Sequence, residues 1–262
     1  MNLQILGSGT CAVTEKRSCA CYAVTFDEIT LLLDIGFGAL RRITEAGIDY
    51  REIDAVMCTH HHLDHIGDLS PLLMALRWTP NWQRTKPLTL IGPSGFREFM
   101  QSSRDLFGEW ILDGETYDIQ VVELNNDSYN FKGCKITAVP MNHTRAANGY
   151  RLEQDGSSLA YSGDTGPCAA LVELCRDVDM AIVESSFPDD QPFDHHLTPI
   201  QAAQYARRSG CSTLVLSHFY PMMEKLDLKE IVRPYFHGDI IIAQDFSQFT
   251  IDNGKFSEAK LM

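Results

Sequence analysis

Cys58-Thr59-His60-His61-His62-Leu63-Asp64-His65-Ile66-Gly67-Asp68 is the stretch whose reading decides the rest of the chain. It crowds four histidines around Asp64 in one short run. Neutral imidazole and carboxylate together suit zinc, iron or manganese. His60 and His62 alternate, so an extended backbone points both rings the same way. Asp64 and His65 then turn into the following segment and can face a second ion. A lone histidine would read as structural or solvated. His-x-His-x-Asp-His reads as a metal site, because ligand count and spacing coincide. The run follows Ile53-Asp54-Ala55-Val56-Met57-Cys58, a mostly apolar segment with the length of a buried strand. It precedes Leu69-Ser70-Pro71-Leu72-Leu73-Met74-Ala75-Leu76, which predicts a helix. The box therefore sits at a strand's C-terminal end, where open α/β folds place their chemistry.

Upstream, residues 3–6 predict a first strand closed by Gly7-Ser8-Gly9-Thr10. That turn lacks the Lys and Ser/Thr of a phosphate loop, which excludes nucleotide binding of that kind. Residues 22–26 and 30–34 predict a hairpin, and residues 40–46 a helix stopped by Gly47. Downstream, strands are predicted over 88–91, 117–124, 134–139, 179–183 and 211–216, with a hairpin over 151–161. Helices are predicted over 96–106 and 225–232, and two short strands over 239–251. Asn125-Asn126-Asp127-Ser128 reads as a turn. Trp78 and Trp82 either line a pocket mouth or pack partly at the surface.

Several of these strands end on a residue able to bind metal or move a proton. His143 follows residues 134–139, and Asp164 lies in Ser162-Gly163-Asp164-Thr165-Gly166. Glu184 closes residues 179–183, and His218 lies in Ser217-His218-Phe219-Tyr220. His196 precedes Thr198-Pro199, the cap and first residue of another helix. Each alone reads as a polar strand end or a cap. His61 and His237 read as structural or solvated.

At 262 residues and 44% hydrophobic content, the chain can bury one large core, and residues 1–262 read as a single domain. The formal net charge of −13 gives no general attraction for phosphate backbones. The eight cysteines are scattered through apolar segments and read as reduced thiols in a cytoplasm. Cys11, Cys19 and Cys21 read either as free thiols or as a small structural metal site. The first residues carry no basic, apolar leader pattern, and no stretch is long and apolar enough to span a membrane.

The box, His143 trailed by Gly149-Tyr150-Arg151, the Ser-Gly-Asp-Thr-Gly run and His218 resemble the metallo-β-lactamase superfamily, and within it the ribonuclease Z and cyclic-phosphate phosphodiesterase branch. The resemblance covers nearly the whole chain. It implies an α/β (α+β) fold, a four-layer αβ/βα sandwich of two sheets with helices outside. It implies one divalent ion on His60, His62 and His143, a second on Asp64, His65 and His218, and Asp164 between them. Zinc comes first, with manganese or iron as alternatives. Two such ions share a water and lower its pKa toward neutrality. Asp64 would also hold the nucleophile's proton, His196 would act as general acid, and Glu184 would orient His196. Asp34, in Asp34-Ile35-Gly36, would lie beneath the box.

Departures from relatives narrow the reading. A zinc β-lactamase often carries Cys in place of Asp164 and lacks the Asp64-His65 pair. Residues 151–164 leave room for a tight hairpin and not for the tRNA-gripping arm of ribonuclease Z. The expectation is therefore a dinuclear hydrolase acting on a small anionic phosphodiester, without strong nucleic-acid binding or a membrane. The fold also admits a homodimer. A hydrolase of another ester, sulfate or thioester, and a non-catalytic metal-binding sensor, are the alternatives.

Overall fold

The computed structural model describes residues 1–12, 14–252 and 255–258. In chain order the strands are β1 (Asn2–Gly7), β2 (Cys21–Phe26), β3 (Ile29–Leu33), β4 (Ala55–Met57), β5 (Leu88–Gly92), β6 (Ile119–Glu123), β7 (Ser128–Phe131) and β8 (Cys134–Pro140). They continue with β9 (Asn148–Gln154), β10 (Ser157–Tyr161), β11 (Met180–Glu184), β12 (Thr213–Ser217), β13 (Asp239–Ile242), β14 (Gln248–Asp252) and β15 (Lys255–Glu258). One sheet has the order β15-β14-β1-β2-β3-β4-β5-β6, the other β13-β12-β11-β10-β9-β8-β7. The α-helices are α1 (Ala39–Glu45), α2 (Leu63–Ile66), α3 (Leu69–Trp78), α4 (Phe96–Phe107), α5 (Ala170–Leu174), α6 (Pro199–Ser209) and α7 (Leu228–Val232).

The two-residue period of a strand sorts the core into layers. Tyr22, Val24, Leu31, Leu33, Ala55 and Met57 face the second sheet and join a core with Ile136, Tyr150, Leu152 and Leu159. Their neighbours Cys21, Ala23, Leu32 and Val56 face outward and pack under α1, α3 and α4 through Ile43, Leu72, Leu73, Phe96 and Met100. Helices α5, α6 and α7 cover the second sheet through Leu171, Leu174, Ala202, Ala203 and Val232. The four-layer sandwich of the expectation is thus the observed fold. A central strand covered on both faces reads as a continuous apolar run, as Leu31-Leu32-Leu33 does.

Strand direction gathers the chemistry. Strands β3, β4, β5 and β6 run parallel, as do β10, β11, β12 and β13. Strand β8 pairs antiparallel with β9, and β9 with β10, so β8 and β10 point the same way. The C-terminal ends of β3, β4, β8, β10, β11 and β12 carry Asp34, the histidine box, His143, Asp164, Glu184 and His218. Cross-sheet hydrogen bonds tie these ends together. Tyr150 Oη donates to Cys58 O at 2.9 Å, the Asn148 amide to Thr59 O at 3.0 Å, and Tyr161 Oη to Asp34 Oδ2 at 2.7 Å.

Three local readings are refined. The turn expected over 125–128 gives way at Ser128 to a strand over residues 128–131, which the sequence does not predict and which pairs antiparallel with β8. The helix expected over 225–232 is a 3-10 turn at Pro221–Lys225 followed by α7. Trp82 packs on the outer core, and Trp78 lies 5.1 Å from Trp110, 52% exposed. Both tryptophans therefore take the surface-packing alternative.

Candidate metal centre

After β4 the box bends over residues 59–61 and is extended at His62, and α2 then turns Asp64 and His65 inward. His60 and His65 are fully buried, and Asp64 nearly so. The backbone around the site is unusual where it has to turn sharply. Asp34 and His218 both adopt left-handed conformations, φ 56° and 61°. This region is sparsely populated for residues with a side chain, and such residues cluster at functional sites. A Cβ on Gly36 would lie 2.1 Å from Asp64 O, so only glycine lets the Asp34 turn pass under the box.

All seven expected ligands come together. The ligand atoms of His60, His62, His143 and Asp164 lie within 4.8 Å of one another, and so do those of Asp64, His65 and His218. Asp164 stands between the sets. Its Oδ2 is 3.8 Å from His60 Nε2 and 3.6 Å from His143 Nε2. Its Oδ1 is 3.2 Å from both His65 Nε2 and His218 Nε2. Asp64 Oδ2 lies 3.7 Å from His218 Nε2 and 4.0 Å from His65 Nε2.

The surroundings fix which ring nitrogen each histidine offers. His65 Nδ1 donates to Asp34 Oδ2 at 2.7 Å, and His143 Nδ1 to His195 O at 3.0 Å. Thr59 Oγ1 donates to Asp34 Oδ2 at 2.9 Å, which leaves it to accept from His60 Nδ1 at 3.0 Å. Ser186 Oγ donates to Glu184 Oε2 at 2.6 Å and accepts from His218 Nδ1 at 2.9 Å. With these four Nδ1 atoms engaged outward, the Nε2 atoms of His60, His65, His143 and His218 face Asp164, whereas His62 turns its Nδ1 toward His143 Nε2 at 3.2 Å. This is how an outer shell orients metal-binding imidazoles. Asp34 also accepts from the Thr59 amide and from Tyr161, so it orients the box as expected.

The donor set fits a cation. His60 Nε2 is buried without any hydrogen-bond partner. His65 Nε2 and His218 Nε2 lie 3.1 Å apart, a spacing that a shared proton or a cation between them satisfies. The electrostatics agree in direction. Burial opposes protonation of His65, but Asp164 and Asp34 prevail and push its pKa well above the usual histidine value. Burial also opposes ionisation of Asp64, yet His218 and His65 bring its carboxyl down to about 2. His60, buried among other imidazoles, is pushed down instead.

His196 and Glu184 lie beside this centre. Glu184 is buried and accepts from His196 Nδ1 at 2.9 Å, the Thr165 amide, Ser186 Oγ and the Leu197 amide. His196 stacks over His218 at 5.9 Å between ring centroids. Burial lowers its pKa, but the hydrogen bond and charge of Glu184 outweigh that and leave it raised. Thr198 caps α6 and fixes the chain just beyond.

Sequence reasoning did not single out Thr59 and Ser186, the hydroxyls that relay Asp34 to His60 and Glu184 to His218. Their only sequence signal is position, next to a ligand and two residues past a strand-end Glu. His61 stays out of the centre and stacks on Phe99 at 4.6 Å. His195 contributes only its carbonyl. The eight cysteines are unpaired, and no metal-type group among the described residues includes one, so Cys11, Cys19 and Cys21 are free thiols.

Comparison with known proteins gives the following. Residues 30–219 match the family described as "Beta-lactamase superfamily domain". A protein named ribonuclease Z from Mycobacterium bovis (strain BCG / Pasteur 1173P2) is 27% identical over 276 residues, covering 96% of this chain and 98% of its own. The metallo-beta-lactamase fold protein YhfI from Bacillus subtilis superposes with a TM-score of 0.83 at 19% identity, covering 94% of this chain and 98% of that one. Human tRNase Z, short form, superposes with a TM-score of 0.76 at 21% identity, covering 96% and 100%.

These likenesses correct one expectation, that of a small-molecule partner and no strong nucleic-acid binding. Relatives matching over nearly their whole length carry ribonuclease names. The physical error lies in using a global sum for a local property. A net charge of −13 averages the surface, whereas nucleic acid is positioned by individual phosphate contacts. The tight turn between β9 and β10 removes room for one gripping element only. Among the described residues no helix is long and apolar enough to cross a membrane.

Proposed function

The chain belongs to the β-lactamase superfamily, and from that premise we propose that it is a metal-dependent hydrolase that cleaves phosphodiester bonds in RNA. The observation that carries this reading is Asp164, whose two oxygens face two separate sets of oriented ligand nitrogens. One divalent ion would be held by His60, His62 and His143, the other by Asp64, His65 and His218, with Asp164 shared. Zinc fits an imidazole-rich set first, and manganese or iron remain compatible. When bound, such ions lower the pKa of a shared water and offset charge on the phosphate oxygens.

The protein's own groups would then manage the protons. Asp64, held ionised by His218 and His65, would accept a proton from the attacking water. His196 has its Nδ1 fixed by Glu184, so Nε2 is the atom free to protonate the leaving oxygen. Its raised pKa keeps that proton available near neutrality, where a general acid is most effective. We take residues 1–262 as one catalytic unit. The free, mostly buried thiols suit a reducing cytoplasm.

The test is a screen of protein purified without chelator and loaded with zinc or manganese. Its substrates are RNA strands, transfer RNA among them, set against p-nitrophenyl esters and p-nitrophenyl sulfate. RNA cleavage that chelator abolishes and metal restores is the expected result. Turnover of esters or sulfate with RNA left intact would overturn the reading.

A further inference from the structure

A groove of about 490 Å³ opens beside the centre at His62, between the start of α4 and the loop after His143. One wall carries Phe99, stacked on His61 at 4.6 Å and 20°, with Phe99 half-buried. The other wall carries Thr144 and Arg145. Arg145 is exposed, and no hydrogen bond or ion pair engages its guanidinium among the described residues. Glu98 stands on the α4 rim. His61 Nε2 is buried without a partner. The stacked pair forms an aromatic strip along this wall. Nothing in the chemistry assigned to the metal centre uses these residues.

A strip of rings and an uncommitted guanidinium, on opposite walls and continuous with the cleavage site, match one nucleotide of a single strand. Bases of any sequence stack on aromatic side chains, and guanidinium pairs with phosphate through a planar fork. Glu98 repels phosphate from the α4 wall, which leaves the Arg145 wall for the backbone. We propose that this groove holds the nucleotide adjoining the scissile phosphate, its base against Phe99 and His61 and its phosphate on Arg145. The proposal rests on the RNA reading above.

The test compares Phe99→Ala, Phe99→Trp, Arg145→Ala and Arg145→Lys with the parent protein on a single-stranded RNA and on methyl p-nitrophenyl phosphate, which lacks a second nucleoside. Phe99→Ala should raise the KM for RNA about tenfold with kcat nearly kept, and Phe99→Trp should restore it. Arg145→Ala should flatten the dependence of log kcat/KM on log salt by about 0.7, the effect of one lost phosphate contact to a single strand, and Arg145→Lys should keep the slope. An unchanged salt slope in Arg145→Ala, or equal losses on RNA and on the small diester, overturns the groove while leaving RNA cleavage standing. A parent protein that turns over the small diester but leaves RNA intact overturns the RNA reading, and the groove with it.

Discussion

The two ligand sets around Asp164 have similar geometry and different electrostatics. His60, His62 and His143 are three imidazoles, with His62 exposed, Asp34 behind His60 only through Thr59, and a peptide carbonyl behind His143. Asp64, His65 and His218 are all buried, and two further carboxylates stand behind them, Asp34 directly and Glu184 through Ser186. A cation gains more from the second set, because buried carboxylates act with little screening. On the proposed assignment, an ion on the second set would be held firmly inside and one on the first set loosely at the mouth of the groove.

The sharpest way to break that contrast is to remove what the sets share. Asp164→Ala should reduce RNA cleavage to background, since both sets then lose the carboxylate they share. Retained turnover in a cleavage assay would mean that the sets work independently. Next in size is His196→Ala, which should leave metal content intact and slow substrates with poor leaving groups about 10²–10⁴-fold. Activated aryl leaving groups should lose far less, and equal losses on both would remove His196 from the acid role.

Smaller effects sharpen the inequality itself. Asp34→Asn should weaken the inner ion about 10–100-fold in competitive chelator titrations, since it removes the negative charge behind His65 and one of the two acceptor oxygens. His62→Ala should instead lose the outer ion and keep the inner one. The reverse pattern would invert the assignment. The smallest effect is a control in the scaffold. Asp54 accepts from Lys132 and from the Thr30 amide, and although burial opposes ionisation, these partners lower its pKa. A depressed carboxylate stabilises the fold above its unfolded pKa, and that contribution fades as pH falls through the folded value. Asp54→Asn should therefore cost about 1 kcal/mol near neutrality, converge with the parent protein in acid by denaturant unfolding, and leave metal content unchanged.

What the sequence disclosed and what it withheld divide along the same line. Ligands that follow apolar strands were legible, because a short buried strand and a polar residue at its end are both local features. The Leu31-Leu32-Leu33 run and the box itself are of this kind. The groups that orient the ligands were not. Ser186 matters because β11 and β12 run parallel and bring His218 beside it, which is a property of register. Residues 128–131 do not read as a strand because Ser-Tyr-Asn-Phe is short and polar, and pairing with β8 supplies what the local pattern lacks. Arg145 gains meaning only opposite Phe99, 46 positions earlier in the chain.

On the proposed assignment, Asp164 joins two candidate cation sites of unequal strength. Zinc bound per chain, measured by elemental analysis after loading and desalting, tests it most directly across the parent protein, Asp164→Ala and His62→Ala. About two ions should remain on the parent, about one on His62→Ala, and fewer than one on Asp164→Ala. A parent chain without bound zinc, or an Asp164→Ala chain that keeps both ions, would contradict it.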